Sequence, residues 1–260
     1  MEIDNKLIEL GLTPLIDASK LLNYSNESYA NMRHVGFGAS EASILVGINP
    51  FNTLDDLRKQ KQELAYDAEI SKKDVVRKGR DLESLFMEKA SKHFTLDIYK
   101  PDYMYEIDEE ARLTVNFDGV SYIEAKYIPV EIKMCSIYGA KHYNFDKSLV
   151  EDINDEHWRT DIHSFIYSYM TDSLETCGFP PYYYTQLQQQ MLALNAPFGI
   201  LAVMDDKTWK MHYFVTKRND AMITEIKVQA IKNKDCLHSK QEILDSLPAD
   251  LRILTESAQI

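Results

Sequence analysis

NFDGVSYIEAKYIPVEIK, residues 116–133, decides how this chain is read. Together with its neighbours it is rich in β-branched and aromatic residues separated by turn signals, which predicts three strands over 97–107, 111–123 and 126–136. On this reading Asp118 ends one strand beside Gly119 in a tight turn. Glu131 and Lys133 are two apart, so they share one face of the next strand, where alternation would ordinarily place apolar side chains. Across a bent hairpin Asp118 can approach that face. Two neighbouring carboxylates repel, which raises one pKa unless a cation sits between them. Oxygen-only ligands suit Mg²⁺ or Mn²⁺. An adjacent lysine would stabilise developing charge or help deprotonate a water on the metal, the chemistry of phosphodiester hydrolysis. Taken alone, a Glu-x-Lys pair on a strand reads as two side chains facing water. Its weight depends on partners elsewhere in the chain.

Outward from this stretch, residues 1–30 carry Leu7, Ile8, Leu10, Leu15, Ile16, Leu21 and Leu22 at spacings that predict short helices broken at GLTP. In SEASILVG, Ser40 is placed to cap a helix that Gly47 ends, and Thr53 to cap the next. Residues 73–93 predict an amphipathic helix whose inner stripe is Val75, Val76, Leu82, Leu85, Phe86 and Ala90. Residues 139–180 are acidic and aromatic and predict inserted helices and loops. PPYYYTQLQQQMLALNA reads as a helix with proline at its start. FGILAVMDD and WKMHYFVTK read as two strands joined at DDKT, and the chain is helical from Asp220. This order predicts an α/β (α+β) fold, a central mixed β-sheet flanked by helices. No linker divides it, so 1–260 reads as a single domain with a helical extension over 1–30, an insertion over 139–180 and a C-terminal helical segment over 220–260.

The net charge of −12 argues against a general nucleic-acid coat protein, since affinity for phosphate comes largely from Lys and Arg. It is compatible with an enzyme that grips DNA in one lined cleft. Three scattered cysteines, Cys135, Cys177 and Cys236, form neither a disulfide framework nor a CxxC metal site, and the seven histidines show no HExxH spacing. With no long apolar run and no basic-then-apolar start, the expectation is no membrane and a cytoplasmic chain with reduced thiols.

Four motifs in order give the hairpin its partners. The arrangement resembles the PD-(D/E)XK nucleases and, more closely, the phage lambda exonuclease and YqaJ-type viral recombinase family. RHVGFGASEASILVG, with Arg33 seven residues before Ser40, resembles that family's R…(G/T)(G/A)S-(D/E)-x-A segment. KGRDLESLF resembles its G-x-x-x-E helix motif and supplies Glu83. NFDGV…VEIKMCS resembles its S-x-D-G…(L/V)E(I/L)K-(C/T) hairpin, with Asn116 where the family often has serine. YYTQLQQQM resembles its Y-x-x-Q-x-Q helix and supplies Gln186. The motifs span residues 33–191, and the segment between Lys133 and Gln186 is longer than in compact phage enzymes.

The resemblance implies a restriction-endonuclease-like core and a Mg²⁺- or Mn²⁺-dependent deoxyribonuclease with two ions. Asp118, Glu131 and the Ile132 carbonyl would be metal ligands, joined by Glu83. Lys133 would position or activate the attacking water, and Gln186, or else Gln190, would orient Lys133 or a water. Arg33, Ser40 and Asn116 would hold a terminal 5′-phosphate. The family's activity implies 5′-to-3′ digestion of linear duplex DNA to leave 3′ tails for recombination in a bacterial host cell. It also implies a homo-oligomer, a trimeric ring, and a single-strand annealing partner. An endonuclease or nickase, or a catalytically silent DNA-end-binding module, would use the same fold. Glu41 lies either near the metals or at a helix start. Tyr182–Tyr184 reads as core or as a base-stacking surface, and Lys72, Lys73, Arg77, Lys78 and Arg80 as a DNA path or a solvated helix face.

Overall fold

The computed structural model describes residues 2–23, 33–64, 74–135, 139–152 and 159–247, with the side chains of 21–23, 74–81 and 151–152 excepted. Elements run in the order α1 (Glu2–Glu9), β1 (Thr13–Asp17), β2 (Phe37–Gly38), α2 (Ala42–Leu45), α3 (Leu54–Gln62), α4 (Asp74–Phe94), β3 (Ile98–Tyr99), β4 (Tyr103–Asp108) and β5 (Leu113–Val115). They continue with β6 (Gly119–Ile123), β7 (Lys126–Cys135), β8 (Leu149–Asp152), α5 (Ile162–Tyr169), β9 (Met170–Thr171), α6 (Pro181–Leu194), β10 (Phe198–Asp205), β11 (Lys210–Lys217), α7 (Asp220–Asn233) and α8 (Lys240–Ser246). The architecture is a mixed α/β one, with helices packed on two sheets.

Among the described residues, the larger sheet has seven strands in the order β3-β6-β7-β10-β11-β8, with β9 also on β11, and the smaller has four in the order β1-β4-β5-β2. β7 and β10 are parallel, and α6 makes the crossover between them and packs on both. β10 is buried at every residue, as expected of a strand covered on both faces. Apolar residues of β6, β7, β10 and β11 join Phe86, Ala90 and Phe94 of α4 and Leu187, Met191 and Leu194 of α6 in the main core. Each of the larger side chains among them contributes about 1.5–3 kcal/mol by leaving water.

The structure divides what composition runs together. Residues 111–123 form two strands, β5 in the small sheet and β6 in the large one, and the chain passes between sheets at Asn116–Asp118. Residues 97–107 likewise split into β3 and β4 around Pro101, which has no N–H to give a ladder. Gly119 opens β6 and is not a turn residue; a Cβ there would lie 2.6 Å from Ile98 Cγ2. The hairpin turn lies at the far end, at Glu124 and Ala125, both at positive φ (50° and 60°) in a two-residue loop.

Leu15 and Ile16, expected on a helix, lie in β1, whose pairing with β4 outweighs local propensity. Ser40 does not cap a helix: residues 39–41 form a 3₁₀ turn, and the Glu41 carboxylate accepts the Gly38 N–H. Thr53 caps α3 and Gly47 takes a positive φ past α2, both as expected. Leu85 is exposed and so leaves the inner stripe of α4, while Phe86 and Ala90 are buried. Residues 139–180 contain β8 and β9, which extend the sheet on β11. Val75 and Val76 lie outside the described side chains.

Candidate active site

The antiparallel register pairs Gly119 with Val130, so one step further along the ladder Asp118 stands opposite Glu131. β6 begins only at Gly119, which leaves the β7 edge open beyond Val130. Asp118 fills that gap by accepting the Ile132 N–H on Oδ2 at 3.0 Å. A strand residue directs its N–H and C=O to the same neighbour, so the Ile132 carbonyl faces the Asp118 side as well. Lys133 reaches back between the acids: Nζ is 3.2 Å from Asp118 Oδ2 and also pairs with Glu131 Oε1.

Glu131 is wholly buried, while the Asp118 and Lys133 side chains keep 22% and 25% of their exposure, so the group opens to solvent on one side. Helix α6 closes the other. Gln186 and Gln190, one turn apart, donate to the two oxygens of Glu131, and Gln190 does so at 2.5 Å. Gln189, on another face, donates to the carbonyls of Phe37 and Thr114 at 3.0 and 2.9 Å, which ties α6 to the small sheet. The Gln190 amide oxygen is buried without a hydrogen-bond partner. The Tyr183 ring lies 5.8 Å from Lys133 Nζ.

The electrostatics follow from this geometry. Burial, and then the negative charge of Asp118, push the Glu131 carboxyl up to about 7. Burial also disfavours ionised Asp118, but Lys133 and the Ile132 N–H outweigh it and hold Asp118 below its ordinary value. Burial opposes the Lys133 charge, yet Asp118 and Glu131 keep its pKa well above that of a free lysine. The lysine is therefore an ammonium, shared by two acids that differ sharply in proton affinity.

The donors gathered here are two carboxylates and a backbone carbonyl, an all-oxygen set that fits a hard divalent cation. Among the described residues, no cluster of three or more His, Cys, Asp or Glu side chains is placed to hold a metal ion. Glu83 is not brought to the pair; its carboxylate engages Lys100. Gln186 meets Glu131, whereas it was expected to orient Lys133 or a water.

Arg33 and Ser40 do come together, with Arg33 Nη2 3.4 Å from Ser40 Oγ and both side chains exposed. Beneath them Glu41 is buried, with one oxygen 3.5 Å from Arg33 and the other 2.8 Å from Lys61. Lys61, also buried, donates to the carbonyls of Arg33 and Gly36 at 2.5 and 2.9 Å. Glu41 thus lies at a helix start, where its carboxylate accepts the Gly38 N–H, and it is also half of a buried ion pair. Asn116 is exposed at the passage between sheets. Of the expected DNA path, Lys72 and Lys73 lie outside the described residues and Arg77, Lys78 and Arg80 outside the described side chains.

Sequence reasoning gave Gln190 only as a substitute for Gln186, although a four-residue spacing already places both on one helical face. It missed Tyr183 as a wall beside Lys133 and Lys61 altogether; Lys61 sits in LDDLRKQKQEL, where a lysine reads as solvated.

No helix among the described residues is long and apolar enough to cross a membrane. The fold is shared with the alkaline exonuclease LHK-Exo of Laribacter hongkongensis. Its complex with dAMP superposes with a TM-score of 0.56 at 14% identity, covering 84% of this chain and 94% of that one. A second LHK-Exo structure gives 0.54 at 14% identity with the same coverage. At such identity the likeness is one of fold. Comparison with curated proteins gives no significant match. The model of the YqaJ-like viral recombinase domain matches residues 28–196, a span that holds Arg33, Ser40, Asp118, Glu131, Lys133 and the glutamines of α6. The chain belongs to the YqaJ-like viral recombinase domain family.

Proposed function

We propose that this chain is a metal-dependent deoxyribonuclease that digests linear duplex DNA from its ends as a single nuclease domain over 1–260. The observation that carries the reading is the meeting of Asp118, Glu131 and Lys133 at the open edge of β7. Family membership and the fold shared with an alkaline exonuclease support it. The polarity proposed is 5′ to 3′, leaving 3′ single strands for recombination. A ring-shaped trimer, a single-strand annealing partner and a bacterial cytoplasmic setting complete the proposal.

Asp118, Glu131 and the Ile132 carbonyl would hold Mg²⁺ or Mn²⁺, two ions in the full proposal; Glu83 would join them as a further ligand only by leaving Lys100. When bound, such an ion supplies charge neutralisation at the phosphate and a more acidic attacking water. The protein's own part is orientation and charge. Gln186 and Gln190 fix the Glu131 carboxylate, so its direction does not depend on the substrate. Lys133 keeps its proton at Nζ because both acids favour the ammonium, and it stabilises negative charge developing on the phosphate. Arg33 and Ser40 hold the terminal 5′-phosphate, for which a guanidinium fork is suited, with Asn116 as a further contact.

The test is incubation with linear duplex bearing 5′-phosphates and with covalently closed circles, each in Mg²⁺ or EDTA. Magnesium-dependent loss of linear DNA alone is expected. Nicked or linearised circles would replace the reading with an endonuclease, and intact DNA in every lane with a silent end-binding module.

A further inference from the structure

The loop between α2 and α3 presents an aromatic ring to solvent. Phe51 is 73% exposed, so its ring is open to a partner from solvent. The loop is pinned on both sides of the ring. Asn49 Oδ1 accepts the N–H groups of Phe51 and Asn52 at 2.9 and 3.0 Å, and its amide donates to Ser43 Oγ at 2.8 Å. Two residues after Phe51, Thr53 and Asp56 close a capping box on α3. The backbone that carries the ring is thus fixed.

Among the described residues Phe51 has one aromatic neighbour, and the contact leads inward. Its centroid is 5.6 Å from that of Tyr182, which is half-buried in the first turn of α6. Tyr182 is 4.5 Å from Tyr183 at 63°. Tyr183 in turn lies 5.8 Å from Lys133 Nζ. A continuous aromatic path runs from the lysine of the acidic pair to the surface in three contacts.

We infer that Phe51 and Tyr182 form a stacking platform for an unpaired base of the DNA strand whose phosphate lies at Lys133. The inference rests on the nuclease reading. A base is the occupant because the path starts at Lys133, where the nuclease reading puts a phosphate, and ends in a solvent-facing ring on which the flat π-face of an unpaired nucleotide of that strand can lie. Every base has such a face, so the platform accepts any sequence, as an end-digesting enzyme requires. Tyr184, third in the run, takes no part: it is buried and its hydroxyl accepts from Asn219 at 3.1 Å.

The experiment measures binding by fluorescence anisotropy in EDTA. The probes are duplexes ending in three unpaired 5′-phosphorylated nucleotides, with bases present or with abasic residues at those positions. Stacking contributes about 1–3 kcal/mol per base, so wild-type protein binds the base-bearing end roughly 5- to 150-fold more tightly. Phe51→Ala, at an exposed site that does not threaten folding, binds both probes as wild type binds the abasic one, and Phe51→Trp keeps the preference. Tyr182→Leu narrows it. Equal affinities of wild type for the two probes, or a Phe51→Ala loss that is the same on both, overturns the platform while magnesium-dependent digestion leaves the nuclease reading standing. Wild-type protein that neither binds nor digests DNA overturns both.

Discussion

Gln190 donates to Glu131 Oε2 at 2.5 Å, and it does so from a helix that also carries the donor to the other oxygen, Gln186. A buried carboxylate with both oxygens engaged by one rigid element has a single orientation. Replacing Gln190 with leucine removes one donor and leaves a buried acceptor unsatisfied, at a cost of about 1–3 kcal/mol. Urea denaturation of Gln190→Leu should show a loss in that range together with reduced hydrolysis. An unchanged midpoint would mean that Glu131 does not depend on α6.

Lys133→Ala removes the only cation paired with both Asp118 and Glu131 among the described residues. Loss of preorganised charge of this kind lowers rates by roughly 10²–10³-fold. Nucleotide release should fall at least that far, with affinity for a linear duplex in EDTA little changed. Wild-type rates in this variant would sink the mechanism.

The Glu41–Lys61 pair is buried on both sides, and Lys61 also holds the backbone at Arg33 and Gly36. Lys61→Met strands a buried carboxylate and should cost about 3–5 kcal/mol. Adding Glu41→Gln should recover much of that, since the uncompensated charge is then gone. Chemical denaturation of the single and double variants measures the difference, and simple additivity would contradict the coupling.

Arg33 lies at the surface of this pair, beside Ser40. A hydrogen bond to a charged group contributes about 1.5–3 kcal/mol, so Arg33→Ala should raise KM roughly 10- to 150-fold on 5′-phosphorylated ends. Ends bearing a 5′-hydroxyl should be digested as by wild type. Equal loss on both kinds of end removes the anchoring role.

His212 is buried, 3.1 Å from Ser148 Oγ, and burial lowers its pKa from 6.5 to about 4. The folded state therefore binds fewer protons here than the unfolded state between those values. Its contribution to stability is complete above pH 6.5 and is lost as pH falls towards 4, by about 3 kcal/mol at about 1.4 kcal/mol per pH unit. Glu131, raised to about 7, acts in the opposite sense, so the informative quantity is a difference. The stability of wild type relative to His212→Gln, followed by denaturation across this range, should fall on acidification; a flat difference would refute it.

Local chemistry determined much of this protein. Apolar, β-branched and aromatic runs bounded by turn signals marked the strands that became β7, β10 and β11, and proline marked the start of α6. The spacing of Glu131 and Lys133 put them on one face because a strand admits no other arrangement. Tertiary structure decided what that spacing could not. The hairpin turn at Glu124–Ala125 falls in the gap between the runs 111–123 and 126–136 although it carries neither Gly nor Asn, whereas the DG that looks more like a turn opens β6 under Ile98. Residues 111–123 divide between two sheets because each half finds a different partner, β4 and β2 for one and β3 and β7 for the other. Glu83 and Glu41 look alike in sequence as acids near helices, yet one meets Lys100 at the surface and the other a buried Lys61. Partner choice of this kind depends on what the completed fold brings within a few ångströms, and charge energies vary too steeply with distance and burial for spacing along the chain to set them.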